Sequence, residues 1–445
     1  MKTLKEAVLP KIAVFLLTAF GCALLLVLTA LIPKEAIKEN CKKSAEFFYE
    51  KDLFPYIVEN QFNTKQDNYA DTILVNIMYH IREENLLFSL VESSYYQGEE
   101  ENVNVRFWKA VQEEKEPNVE YFRYWHGMMI FLRPLFLFTD IQGVRGILGI
   151  FLGILTLITC GFLIKKQEKA LGISFLLGNI LIQSWMCAMS IEYISTFLVM
   201  NTVTIITIFL CDKYKNNREE LNKKIGLLMC GSGVVTCFLD FLTTETLTVT
   251  IPLFIALVFT YRNQQLGEVK REILGLFSRG MIWAISYGAM FFLKWGLASV
   301  FLGKEAFQKA VESAGVRMVG AVTLGNTNLD PQATFLQRLL GALGRNQGSL
   351  FPFREEMKMG IAILLFIGVV FLWFSVIYLF RGKNFSGKMI FLSLILGIVP
   401  YLRYMVLANH AYIHYFFTYR AQLIVAVVIL FTSWEFGLKN LIKNK

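Results

Sequence analysis

Ten stretches of this chain are apolar over about 17 to 25 residues, the length a helix needs to cross roughly 30 Å of hydrocarbon, and nothing else constrains its fold as much. They lie near residues 12–32, 142–164, 170–190, 193–211, 225–242, 246–261, 281–302, 360–380, 388–407 and 420–437. The fifth and sixth are short, and the break between them (Thr243, Thr244, Glu245, Thr246) also suits a re-entrant hairpin. With 55% of residues hydrophobic and 18% charged, there are more apolar side chains than one aqueous core could hide. A soluble enzyme, a disordered tail and a disulfide scaffold are excluded. The expected fold is all-α, a polytopic membrane protein of about ten transmembrane helices and a single membrane domain over residues 1–445.

The formal charge of +9 would suit nucleic acid only if the bases gathered on one soluble face, and they do not. Lys and Arg mark the cytoplasmic side of short loops. Of the 44 bases, 21 fall in six pieces, 1–11, 165–169, 213–224, 262–280, 381–388 and 438–445, whereas the turns at 191–192 and 243–246 hold none. Both termini are therefore expected in the cytoplasm of a multi-pass cell-membrane protein. The first apolar run outlasts a signal-peptide h-region and no Ala-x-Ala site follows, so it reads as an uncleaved span. The seven cysteines lie mostly within spans and only Cys41 falls in an outer loop, so no intramolecular disulfide is expected.

Two long segments fall on the outer side. Residues 33–141 carry 19 acids against 12 bases with aromatics throughout, and read as a folded helical cap, with amphipathic helices expected over 45–59 and 71–90. At its end, residues 124–135 are apolar but too short to cross, and read as a short helix dipping into the outer leaflet. Residues 303–358 form the second extracytoplasmic loop, whose glycines (Gly315, Gly320, Gly325, Gly341, Gly344, Gly348) suit hinges of a gating loop or of a loop with no part in chemistry.

Ionisable groups in or beside spans are costly and therefore informative. Asp240 closes the fifth span, Glu192 and Glu245 lie in outer turns, and all four histidines, His80, His126, His410 and His414, come out on the outer side. Any chemistry is expected to be extracytoplasmic. Asp67 and Asp71, four residues apart, share a helix face, and each reads either as a general base or as an N-cap. Residues 409–420 put His410 and His414 at i and i+4 beside Tyr419, further aromatics and Arg420. That pattern suits a phosphate at headgroup level, a belt of anchoring aromatics, or a zinc ion needing further ligands from elsewhere. Arg133, Arg145 and Arg403 read as snorkelling side chains or as carboxylate partners, and Lys294, within the seventh span, has the same two readings. No nucleotide-binding loop is present, so an activated substrate would have to arrive through the bilayer.

With its first span, large acidic outer loop, many further spans and polar outer rim, the chain resembles the GT-C superfamily of integral membrane glycosyltransferases, and more narrowly a family of membrane proteins of Gram-positive bacteria. The local matches are residues 67–74, 124–127, 239–243 and 409–420. The resemblance implies a sugar moved from a polyprenyl-phosphate donor to a cell-surface glycan or protein acceptor, with membrane lipid and no nucleic acid as the surroundings. Its catalytic acid would be Asp71, with Asp67 second. His126, Arg133, Asp240, Arg403, His410, His414, Tyr419 and Arg420 would bind the substrate. No cofactor is implied with certainty, and a divalent metal stays open. The superfamily usually places its acid just after the first span, and Glu35 and Glu39 are nearer to it than Asp67. The competing readings are a transporter or flippase of a lipid-linked saccharide, and a non-catalytic partner in polysaccharide assembly.

Overall fold

The computed structural model describes residues 2–59, 61–100, 102–318, 334–351, 359–382 and 385–443. Among them there is no strand, only two isolated bridges, Tyr56 with Lys65 and Tyr95 with Val119. The protein is all-helical. Its helices are α1 (Lys2–Ala30), α2 (Lys34–Tyr49), α3 (Asn68–Tyr79), α4 (Leu86–Glu92), α5 (Val103–Gln112), α6 (Met129–Leu135), α7 (Ile141–Lys165), α8 (Lys169–Leu181), α9 (Ile191–Lys213), α10 (Arg218–Leu239) and α11 (Leu247–Arg262). There follow α12 (Val269–Leu302), α13 (Glu305–Met318), α14 (Phe335–Gly348), α15 (Met359–Phe380), α16 (Gly387–Gly397), α17 (Val399–Val406), α18 (Ala408–Ile413), α19 (Tyr415–Thr418), α20 (Leu423–Ser433) and α21 (Lys439–Lys443).

Seven helical stretches are long and apolar enough to cross a membrane: Val8–Ala30, Ile141–Lys165, Ile191–Lys213, Val269–Leu302, Gly360–Phe380, Gly387–Val406 and Tyr415–Ile442. Every one of the ten expected segments is helical. The three outside this set fall short for separate reasons. At 1.5 Å per residue, the 13 residues of α8 and the 16 of α11 reach only about 20 and 24 Å. The first turns of α10 carry Arg218, Glu219, Glu220, Lys223 and Lys224, which dilute its apolar stretch. α11 is buried along almost its whole length, and its last residue, Arg262, joins Glu168 at the start of α8 and Glu435.

The segment 33–141 is helical, but its boundaries differ from those read off the sequence. α2 covers 34–49, where Ile37, Cys41, Ser44, Ala45 and Phe48 recur at helical spacing and face inward. Beyond it Pro55 lacks the N–H that a helix interior requires, so the helix expected over 45–59 does not form. The helix expected over 71–90 is two, separated where His80 ties Asn76 O and Lys115 O through its two ring nitrogens. α6 is short as expected, and one side of it packs into the protein. Met128, Met129, Leu132, Arg133 and Phe136 are fully enclosed, between α1 and α3.

Several long-range bonds weld these helices to the bundle. Trp125 Nε1 donates to Met290 O at 2.9 Å. The Lys294 ammonium donates to Leu90 O and Val91 O at the end of α4, both at 2.9 Å, so this in-span lysine neutralises the carbonyl end of a helix rather than snorkelling. Of the glycines expected as hinges, Gly315, Gly341, Gly344 and Gly348 lie within α13 and α14, and Gly341 gives room to the Tyr412 ring. Gly320 and Gly325 lie outside the described residues. All seven cysteines are free and buried.

Candidate functional site

The N-terminus of α3 meets the N-terminus of α9. Asp67 caps α3, its Oδ1 accepting the Ala70 N–H at 2.8 Å, while its own N–H donates to Ser190 Oγ at 2.8 Å. One turn on, Asp71 is fully buried. It accepts Arg145 Nε at 2.9 Å and Nη2 at 2.6 Å, and the Ile191 N–H on both oxygens at 2.9 and 3.1 Å. Burial pushes the Asp71 carboxyl up and the Arg145 guanidinium opposes it. The shared helix face thus divides its labour: Asp71 closes an ion pair, whereas Asp67 Oδ2 meets only the Tyr193 hydroxyl, at 3.5 Å. Burial pushes Asp67 to about 7, against the capping N–H and with the charge of Asp71.

Beside this junction runs the 240–246 turn. Asp240 accepts the Thr243 N–H at 3.2 and 3.1 Å and the Thr243 hydroxyl at 2.5 Å. Its carboxylate thereby holds Leu242 in the left-handed region, at φ 66°. A second left-handed residue, His126 at φ 54°, packs its ring 5.3 Å from that of Phe241. Each such non-glycine residue costs about 1–3 kcal/mol and persists only where its surroundings enforce it. Glu245 pairs with Arg403 at 2.8 Å, with side chains only 5% and 4% exposed, and Arg403 also donates to Leu242 O.

Arg403 carries the site across to α18. Its Nη2 lies 3.5 Å from His410 Nδ1, and the rings of His410 and His414 are 4.6 Å apart. Burial first, then neighbouring positive charge, pushes His410 well below the ordinary imidazole range and His414 to about 3, with Arg317 and Arg403 acting on both. The two imidazoles are therefore neutral. Phe417 packs against His414 at 5.2 Å and against Tyr193 at 4.9 Å, which joins the histidine side to the Asp67 side. Arg317 closes the far wall, its guanidinium 5.5 Å from the centre of the Tyr124 ring.

The expected residues thus divide into those brought together and those placed elsewhere. Asp67, Asp71, Asp240, Arg403, His410, His414 and His126 form one connected group. Arg133 lies apart, donating to Ile32 O at 2.9 and 2.6 Å and to Met78 O at 2.7 Å, so it fastens the carbonyl ends of α1 and α3. The Tyr419 hydroxyl donates to Ile182 O at 2.8 Å. Arg420 donates to Asn63 O at 2.8 Å with its guanidinium 5.7 Å from the Tyr193 ring, strapping the segment after α2 to the bundle. Glu35 and Glu39 are exposed on α2 beside Lys38 and Lys43, away from the group.

Three members were not read as site residues. Glu192 was visible only as an acid in a turn, Tyr193 as part of an apolar run, and Arg317 as one base in a long loop. A buried polar atom without a partner costs about 1–3 kcal/mol, so its persistence points to a ligand or to solvent. Such atoms gather here: Arg403 Nη1, His414 Nδ1 and His126 Nδ1 have no hydrogen-bond partner. His126 is pushed to about 3 by burial, so its neutral ring offers that nitrogen at any ordinary pH. Among the described residues, no three His, Cys, Asp or Glu side chains converge as metal ligands. No family model, curated protein or solved structure matches the chain.

Proposed function

We propose that this protein is a membrane glycosyltransferase of GT-C type, moving a sugar from a polyprenyl-phosphate donor to an acceptor outside the cell. Its acidic half, Asp67, Glu192 and Asp240, receives the acceptor hydroxyl. The basic and imidazole half, Arg403, Arg317, His410 and His414, receives the lipid phosphate. The observation that carries this reading is a buried guanidinium nitrogen, Arg403 Nη1, and a buried imidazole nitrogen, His414 Nδ1, left without partners across Tyr193 and Phe417 from the buried carboxyl of Asp67. Displacement at an anomeric carbon needs both halves, because charge builds on the departing phosphate as a proton leaves the incoming hydroxyl.

The membrane arrangement in this reading has ten spans, both termini in the cytoplasm and the site on the outer face. In its support, the basic pieces near 165–169, 213–224, 262–280, 381–388 and 438–445 meet at one end of the bundle, through Lys166 with Asp212, Arg262 with Glu168 and Glu435, and Lys388 with Gly267. The acids and histidines meet at the other end.

The test is incubation of the purified protein with a panel of radiolabelled polyprenyl-phosphate sugars and cell-envelope acceptors. Label should move to acceptor, and replacing Arg403 should lower that transfer by about a hundredfold or more. Label that stays on the lipid for every donor sinks the reading. Asp71→Asn is a poor probe, since it unpairs Arg145; Asp67→Asn keeps an oxygen for the α3 cap.

A further inference from the structure

We infer that Glu192 is the proton acceptor of this site, taking its proton from the hydroxyl of an incoming saccharide; this rests on the transfer reading above. The argument is an accounting of carboxylate oxygens. Asp71 spends both on Arg145 and the Ile191 N–H. Asp67 spends one on the α3 cap, Asp240 spends both on Thr243, and Glu245 spends both on Arg403. Glu192, the second residue of α9, lies within electrostatic reach of Asp67, Asp240, Asp71 and Tyr124, so it stands among them. Its backbone N–H helps to hold Asp71, which fixes the turn that presents it. The side chain has no hydrogen bond or ion pair, and the residue is half-buried where Asp67, Asp71 and Asp240 are enclosed. An unspent acid that keeps an open side is placed to meet a substrate.

An independent observation also points to a ligand here. Arg403 is 6% exposed and His126 1%, yet Arg403 Nη1 and His126 Nδ1 have no partner. In the reaction, the hydroxyl proton passes to a Glu192 oxygen as the hydroxyl oxygen's electron pair forms the bond to the anomeric carbon. The bond from that carbon to the phosphate oxygen breaks, and its pair remains on the phosphate beside Arg403 and Arg317. Water then takes the proton from Glu192, restoring the carboxylate.

Two measurements on the full-length protein in detergent test this. In steady-state transfer from the radiolabelled donor found active in the panel, Glu192→Gln should lower kcat by about 100-fold or more and leave KM within about threefold. Glu192→Asp should recover part of the rate. Separately, dicyclohexylcarbodiimide, which attacks the protonated fraction of an accessible carboxyl, should label Glu192 in peptide mapping ahead of Asp67, Asp71 and Asp240. Glu192 loses no hydrogen bond on becoming Gln, so that variant should elute as the wild type does. An active wild type with an equally active Glu192→Gln, or labelling confined to the aspartates, overturns this inference alone. A wild type inert towards every donor overturns the transfer reading and this role with it.

Discussion

The two ends of the helical bundle use the same kinds of side chain in opposite ways. At the end where α8, α11 and the π-helical segment Trp434–Leu438 meet, Arg262 gives Nε to Glu168 at 3.0 and 3.1 Å and its two terminal nitrogens to Glu435 at 2.6 and 2.8 Å, and Lys439 adds a further pair to Glu435 at 3.2 Å. Arg218 meets Glu272, which also accepts the Gly267 N–H at 2.6 Å. The orphans there include Arg279 Nε, beside a void of about 10 Å³ lined by Arg218, Asn222, Glu272 and Arg279, roughly the space of one water. At the opposite end, Arg403 and the neutral rings of His126 and His414 each keep a nitrogen in reserve, and the Glu192 side chain has no hydrogen bond or ion pair. Closed charge sets fasten helices together, whereas an open set is poised for something that arrives.

The comparison breaks or sharpens first at Arg403. Arg403→Met leaves Glu245 buried without its partner, which should cost about 3–5 kcal/mol, read as the loss of thermal midpoint in detergent. Adding Glu245→Gln should return most of that stability, because the isolated charge is gone. Transfer should stay lost in the double variant. If activity returned with stability, Arg403 would be a fastening like those at the other end. The matching change there, Arg262→Met, should cost less, about 2 kcal/mol, because its side chain is 28% exposed and Lys439 still faces Glu435. Any transfer loss should follow stability alone, and a specific loss of turnover in that variant would erase the distinction between the ends.

How far the sequence foretold this follows from what each signal depends on. Hydropathy depends on local composition, so all ten apolar segments coincide with helices. The cap boundaries failed because Pro55 and the two ring bonds of His80 act against a periodicity that continues past them. Asp67, Asp71, Asp240, His410 and His414 were legible as costly groups near span ends. Their division into spent and unspent was not, because Asp71 is neutralised by Arg145, 74 residues away. Glu192 and Arg317 were hidden for the same reason, since an acid in a turn and a base in a loop look solvated until the fold encloses them.

A smaller effect concerns pH at the open end. Asp67 would lose its proton near 3.8 in the unfolded chain and near 7 in the folded protein. The folded state therefore holds an extra proton between those values. The stabilisation from that proton is complete below the unfolded value and is lost as pH rises through about 7. Asp67→Asn keeps the capping oxygen and does not titrate. Relative to this variant, the wild-type thermal midpoint should fall as pH goes from about 5 to about 7 and then level off. A midpoint that stays level over that interval would mean Asp67 is held ionised by a partner, since both states would then already have lost the proton.

The smallest expected effect lies at the closed end and is the most stringent control. Lys388 donates through Nζ to Gly267 O at 2.7 Å, tying the start of α16 to the loop before α12 from a half-buried position. Lys388→Met removes one charge-assisted bond from a half-buried position and keeps the aliphatic stem, so about 1.5 kcal/mol should be lost. Gly267 also donates to Glu272, and that bond should hold the loop in place without the lysine. Turnover should equal the wild type's at temperatures well below the midpoint. Hydrogen exchange should quicken at 265–269 and remain unchanged at 190–196 and 240–246. If exchange quickened at those distant turns too, the two ends would be mechanically coupled, and the separation of a fastened end from a receptive one would fail.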